Sequence, residues 1–410
     1  MRVLFVTYFF PPAGGAGPVR PLKLAGHLVE LGFEVHVLAP ADPRWIYRDD
    51  SSSPPAGVIV HRAPYHGPQT RKLRDALQGR SAAERAVAHA RAAIPRLLVP
   101  DEHVLWLPTA LPAAVEIVRR EGIDAVVTTS PPTSIHLLGA AVRRRTHVRW
   151  VADVRDSIGS HPHRRVDRAA VRLKERAEVA LARGALRGAD ALVASSGSIA
   201  GELRSLAPGK RVEEIANGCD FEDFDGLAYE PAERFRITHT GLFFGSRDPR
   251  PFLSALATSG LDVVARFVGD FRPADLAWAR RAGLADRLEI HPYASRARTL
   301  AWQRDSEALL LLVPDANGRG RGVVTAKLFE YLAAERPILA AVPPDGAAAA
   351  LVEETGAGIV VPPRDVDAIR DALRRLVAMR GTAVPLRPDL RSRLSRRRRA
   401  EELAALLSTL

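Results

Sequence analysis

Along most of the chain, short runs of consecutive apolar residues alternate with longer segments whose apolar positions recur every three or four residues. The first kind of run reads as a strand buried on both faces, the second as an amphipathic helix laid against a sheet. In the N-terminal half the strand-like runs are 2–7, 34–38, 125–128, 149–154, 191–194 and 212–215. A helical pattern over 19–31, closed by Gly32, follows the first run, and others end near Arg145 and cover about 165–189. A second series has strand-like runs at 236–240, 263–268, 288–290, 309–313, 337–341 and 358–361, with helical patterns between them. Strands alternating with helices predict parallel sheets covered on both sides. Two such series predict an α/β fold of two Rossmann-like doubly wound domains facing a cleft.

The boundaries follow from where this rhythm breaks. The turn-rich tract through Asn217-Gly218-Cys219-Asp220 reads as the interdomain connection, giving domains at 1–220 and 221–385. A Pro/Arg linker over 384–393 precedes a last helix at 395–407, so 386–410 is placed to cross back to the first domain. Between residues 65 and 121 the strand rhythm lapses, and 71–98 carries leucines and alanines at helical spacing among many arginines. With Leu73 and Leu77, that basic amphipathic helix either packs on its own domain or lies on an anionic membrane surface.

The densest chemistry lies in 308–341. A strand stops at Pro314, a loop follows with Gly318, Gly320, Gly322, Arg319 and Arg321, and a helix runs over about 325–334. Such a unit aims the helix N-terminus, with unpaired N–H groups and partial positive charge, at a crevice beyond the strand ends, where anions bind. Thr325 is placed to cap that helix. Lys327 and Glu330, three residues apart, share one face. A cation near phosphates and a carboxylate one turn deeper suit a nucleoside diphosphate, diphosphate first and ribose next. The plainer reading of the same residues is an ordinary βα unit with a solvated lysine and glutamate.

Two further places carry candidate groups. The loop after the first strand holds Gly14, Gly15 and Gly17, which either let the backbone approach a ligand or form a plain loop; it lacks the spaced G-x-G-x-x-G of a dinucleotide site. Asp153, Arg155 and Asp156 stand at the carboxyl end of another strand, where ligands of open α/β sheets bind. The alternative there is an Arg-Asp pair that fixes the loop.

Composition narrows the classes. With 47% hydrophobic and 26% charged residues the chain is that of a globular protein, and no run near 20 apolar residues spans a membrane. The start, Met1-Arg-Val-Leu-Phe-Val-Thr, reads as a first strand rather than an export signal. One cysteine, Cys219, leaves no intramolecular disulfide and no cysteine cluster for zinc, so a reducing, cytoplasmic setting is expected, with the inner membrane face as the place of any peripheral contact. The net charge of +12 suits an anionic membrane, a phosphorylated substrate or nucleic acid. Aromatics are only 6% and are not interleaved with the basic residues, which argues against nucleic acid.

Taken in order, several motifs resemble a GT-B glycosyltransferase, most closely family 4, the retaining nucleotide-sugar enzymes. They are the opening strand with Pro-Pro-x-Gly-Gly, the Ser130-Pro-Pro loop, Asp153-x-Arg155-Asp156, Asn217-Gly218-x-Asp220, Thr240-Gly241, Val268-Gly269, and Lys327-x-x-Glu330-Tyr-Leu-Ala with Arg336-Pro337-Ile. The resemblance covers nearly the whole chain. It implies that Glu330 accepts hydrogen bonds from the donor ribose, and that Gly14 and Gly15 lie near the donor phosphates and the acceptor. Arg247 or Arg250, following Gly241, is implied as the basic residue on the diphosphate, joined by Gly322, Val323, Val324, Thr325 and Lys327. The sequence departs from the family at Gly322, where a glutamate eight positions before the ribose-binding one often holds the sugar.

Transfer from a nucleotide sugar needs stabilised charge on a departing diphosphate. Asp365-Val-Asp367 has the Asp-x-Asp form of a metal site, but Asp365 reads as the N-cap of the helix from Val366. No cofactor or metal is expected, the helix N-terminus, Lys327 and an arginine supplying the charge instead. On the acceptor side Asp156 or Asp153 is placed to position a hydroxyl. His136 reads as a packed histidine, and His161 and His163 as solvated. The expected partners are the nucleotide-sugar donor and a saccharide, lipid-linked or small-metabolite acceptor. A sugar-nucleotide epimerase of the same fold, or a non-catalytic basic binding protein, are the alternatives.

Overall fold

The computed structural model describes residues 1–43, 45, 47–67, 98–159, 168–243 and 246–410. Its described residues form two compact units. In the first, seven parallel strands follow the order β3-β2-β1-β4-β5-β6-β7. They are β1 (Arg2–Thr7), β2 (Glu34–Ala41), β3 (Val58–Pro64), β4 (Ala125–Thr129), β5 (Arg149–Val154), β6 (Ala191–Ala194) and β7 (Arg211–Glu214). Between them run α1 (Val19–Glu30), α2 (Leu107–Arg120), α3 (Ser134–Thr146), α4 (Ala169–Leu186) and α5 (Gly197–Leu206). The central strand β1 is buried on both faces, Leu4 and Val6 facing one core and Val3 and Phe5 the other. That is why it reads as a continuous apolar run.

The second unit has six parallel strands in the order β10-β9-β8-β11-β12-β13. These are β8 (Phe235–Thr240), β9 (Val263–Val268), β10 (Leu288–His291), β11 (Ala308–Leu312), β12 (Ile338–Ala341) and β13 (Gly358–Val361). Its helices are α6 (Arg250–Thr258), α7 (Pro273–Arg281), α8 (Arg296–Arg304), α9 (Ala326–Ala334), α10 (Ala347–Thr355), α11 (Val366–Ala378) and α12 (Pro388–Leu394). The last helix, α13 (Arg396–Ser408), follows. In each sheet the strand order reverses once, between β1 and β4 and between β8 and β11. The loops leaving those strands flank the crevice where open α/β sheets bind ligands. The α/β class with two Rossmann-like doubly wound units is therefore the observed one.

Three elements differ from the sequence expectation. The edge strand β3 carries His61 and Arg62 and is only partly buried, so it lacks the apolar run of a central strand. The helix α2 contains Pro108 and Pro112. Pro108 falls in the first turn, where its missing N–H has no intrahelical partner in any case, and the buried Ala110, Ala114, Ile117 and Val118 hold the helix down despite Pro112. The expected 384–393 linker contains α12, begun by Pro388 and anchored by buried Leu390 and Leu394.

The division between units falls between Ala216 and Asn217, and Arg399–Leu410 belongs to the first unit. There Ala400, Leu403, Leu406 and Leu407 join the core beside Leu24 and Leu28 of α1. Residues 71–97 of the basic amphipathic stretch, with Leu73 and Leu77, lie outside the described residues, as do His161 and His163. Among the described residues, no helix is long and apolar enough to cross a membrane.

Candidate functional site

In the second unit the switch point gathers Thr240 at the end of β8 and Gly241 after it, the loop after β11, and the first turn of α9. Gly241 has φ +119, and its N–H donates to the Val268 carbonyl (2.7 Å). A Cβ at Gly241 would lie 2.4 Å from Lys327 Cε and 2.5 Å from Nζ, so the missing side chain makes room for the lysine. Lys327 makes no hydrogen bond or ion pair among the described residues. Burial, and then the nearby Arg247 charge, push its pKa well below the usual lysine value, against the pull of Glu330. An ammonium so placed gains from an incoming anion.

Around it are further donors. Thr325 stands at the N-cap of α9 in extended conformation, yet its hydroxyl makes no capping bond, and its Oγ1 is buried without a partner. The expected Thr325 cap is thus corrected: the side chain is left over rather than used. Val324 and Thr325 N–H groups make no hydrogen bond among the described residues, whereas Val323 N–H is taken by the Gly320 carbonyl (3.1 Å). Gly322 sits partly exposed in the same loop. Arg247 is buried and donates to the carbonyls of Leu242 (2.8 Å) and Leu312 (3.3 Å). Arg250 points elsewhere, its Nε on Asp275 (2.8 Å). Of the two arginines, Arg247 is the one beside Lys327.

Glu330, one turn further along α9, is held on both oxygens. Arg296 NH1 donates to Oε1 (2.5 Å), and Gln303 Nε2 donates to Oε2 (3.2 Å) and also to Thr240 Oγ1 (3.1 Å). Arg296 NH2 reaches Asp223 (2.8 Å) and stands 3.7 Å from Asp220. Burial works against the Arg296 charge, but Glu330, Asp220 and Asp223 outweigh it and raise its pKa. Asp220 is gripped in turn by Arg396 Nε (2.9 and 3.0 Å), whose NH2 donates to the Gly218 carbonyl (2.7 Å). This explains the Asn-Gly-x-Asp tract: a Cβ at Gly218 would lie 2.6 Å from Arg396 Cα. Arg296 and Gln303 escaped sequence reading because no motif marks them.

In the first unit the three strand-end residues part company. Asp153 is buried, with Arg20 donating to both oxygens (3.0 and 2.8 Å) and Thr129 Oγ1 to one (2.7 Å). Burial favours its protonated form, but Arg20, Thr129 and Arg155 outweigh that and lower its pKa. Arg155 donates to the carbonyls of Ser130 (2.5 Å) and Gly17 (3.0 Å), clamping two loops. Asp156 alone is exposed and makes no hydrogen bond or ion pair among the described residues. Gly14 N–H is taken by the Tyr47 carbonyl (2.9 Å), and Gly15 has φ +83. His136 is packed in the core, its Nδ1 2.9 Å from Thr128 Oγ1, and burial lowers its pKa to about 4. Asp365 Oδ1 accepts from Ala368 N–H (2.9 Å), the expected N-cap. A second Asp-x-Asp, Asp223-Phe224-Asp225, has its first carboxylate committed to Arg296.

A family model described as "Glycosyl transferase 4-like domain" matches residues 14–218, half of the 410-residue chain. The chain belongs to the glycosyl transferase 4-like family. Comparison with curated sequences returns no match. Among solved structures, a sucrose-phosphate synthase from Thermosynechococcus elongatus aligns with a TM-score of 0.67 at 16% identity, covering 100% of this chain and 98% of that one. HepE from Anabaena, in complex with UDP-glucose, aligns at 0.66 and 15% over 100% of both chains. A glycosyltransferase from Rickettsia africae aligns at 0.64 and 12%, covering 100% and 98%. These likenesses show the GT-B fold. The protein is a glycosyltransferase.

Proposed function

We propose that this glycosyltransferase moves a sugar from a nucleotide-diphosphate sugar to an acceptor hydroxyl, without a metal ion and with retention of configuration. The carrying observation is Lys327, a partly buried ammonium without an acceptor, with the buried Thr325 hydroxyl and the open N–H groups of Val324 and Thr325 in the turn before it. Groups fixed in advance at a water-poor site stabilise developing charge without reorganising. The second unit thus supplies donors for a departing diphosphate, and Glu330 an acceptor for ribose hydroxyls. That HepE was solved with UDP-glucose is in keeping with a nucleotide-sugar donor here.

In the reaction the bond from the anomeric carbon to the phosphate oxygen breaks, and its electron pair goes to the diphosphate. Lys327, the Thr325 hydroxyl and the helix N-terminus receive that charge. The acceptor oxygen then bonds to the same face of the sugar, and its proton passes to the departing phosphate. No protein base is required, so Asp156 serves as an acceptor-site group that orients the hydroxyl. Asp153 and Arg155 support the loop around it. The acceptor is a saccharide, a lipid-linked saccharide or a small metabolite, met in the cytoplasm or at the inner membrane face. With Gly322 in the loop, backbone groups rather than a carboxylate there would hold the transferred sugar.

The test is to incubate the protein with UDP- and GDP-sugars and acceptor extracts, with and without EDTA. A product heavier by one sugar, formed equally in EDTA and with unchanged anomeric configuration by NMR, is expected. Inverted product, or activity lost in EDTA, overturns the corresponding part. Donor converted to an epimer without acceptor would replace transfer by epimerisation, a chemistry that the fold also serves in a putative UDP-N-acetylglucosamine 2-epimerase from Listeria monocytogenes (TM-score 0.53, 12% identity).

A further inference from the structure

Glu330 is not an isolated carboxylate on a helix face. Arg296, the first residue of α8, fixes one oxygen and Gln303 the other (2.5 and 3.2 Å). An ionised carboxylate has about four acceptor positions. Two are used, which leaves two for the paired hydroxyls of a ribose, and the side chain keeps 16% of its surface open. The other branch of the Arg296 guanidinium is anchored on Asp223 at 2.8 Å, so the arginine itself cannot swing away with Glu330. Three carboxylates, Glu330, Asp223 and Asp220, face this one cation. Without it Glu330 would meet like charge and turn from its present orientation. Recognition of a diol requires that orientation to be held within a fraction of an ångström by neighbouring groups.

We infer that Arg296 is a positioning residue for nucleotide recognition, which locks the Glu330 carboxylate so that it selects a ribose by its hydroxyls. Planar guanidinium geometry matters, since one arginine fork must serve Glu330 and Asp223 together, which a lysine point charge does only in part. The inference rests on the donor-site reading of Glu330.

Its test compares the full chain with Arg296→Gln, Arg296→Lys and Asp223→Asn by calorimetric titration. The probes are UDP or GDP, whichever binds wild type better, and the 2′,3′-dideoxy form of that nucleotide. Wild type is expected to prefer the ribonucleotide by about tenfold or more, the scale of a hydrogen bond to a charged acceptor. In Arg296→Gln that preference should fall to within about twofold while the dideoxy nucleotide binds nearly as before, with Arg296→Lys and Asp223→Asn in between. If Arg296→Gln does not fold, the lysine variant decides by the same ratio. A folded variant that keeps the wild-type ratio, or loses both nucleotides in equal proportion, overturns the positioning role and leaves the donor site standing. Wild type that binds UDP or GDP but shows no preference for the ribose overturns the role as well, and wild type that binds neither overturns the donor-site reading with it.

Discussion

Lys327 is an ammonium in a place where its charge is disfavoured, pressed by burial and by Arg247. A group whose folded pKa is depressed binds fewer protons folded than unfolded, so between that lowered value and the usual lysine range stability rises with pH. Diphosphate binding works in the opposite sense, because it favours the charged form. Nucleotide affinity should therefore fall as pH rises through the depressed pKa, and Lys327→Met should both weaken binding and flatten that pH dependence in calorimetric titrations. At the other sheet, Asp153 and Asp156 separate in their predicted effects. Removing the charge of Asp153 leaves Arg20 buried and unpaired, so Asp153→Asn should lower stability by about 3–5 kcal/mol in denaturant unfolding. Asp156→Asn should leave the unfolding curve in place and lower only the rate of transfer. Sequence position could not divide these neighbours: the arginine that claims Asp153 comes from 133 residues away.

At the scale of elements, the short, largely apolar runs were legible as strands, and β1, β5, β6, β9 and β13 have the expected bounds. The edge strand β3 and the proline-bearing helices α2 and α12 were not, since local composition there speaks against the elements that tertiary packing stabilises. The unit from β11 to α9 was the most legible part of the site, because Lys327 and Glu330 share a face by helical spacing alone. Arg296 and Gln303 come near Glu330 only through the packing of α8 against α9, at sequence separations of 34 and 27. Gly241 shows how tightly the elements meet. A side chain there would require φ +119 and would displace the end of Lys327 rather than any backbone. Gly241→Ala should therefore weaken nucleotide binding through the displaced lysine, by about tenfold where the lost lysine contact is worth about 1.4 kcal/mol, while the second unit still folds. Retained affinity with wild-type stability would contradict that packing.

For the whole molecule, each sheet has one reversal of strand order; the candidate groups Lys327 and Glu330 follow β11 at the reversal of the second sheet, whereas Asp156 follows β5, one strand out from the β1/β4 reversal of the first. The +12 charge is consistent with a phosphorylated substrate, and the acceptorless lysine gives that charge a specific address. The most direct measurement is thermal unfolding of wild type, Lys327→Met and Glu330→Ala with and without UDP and GDP. A ligand at 100 times its Kd stabilises the folded state by about 2.7 kcal/mol. One of the two nucleotides should raise the wild-type midpoint, and each substitution should remove most of that gain. A midpoint that neither nucleotide moves, or that both variants raise as far as wild type does, would contradict a nucleotide site at Lys327 and Glu330.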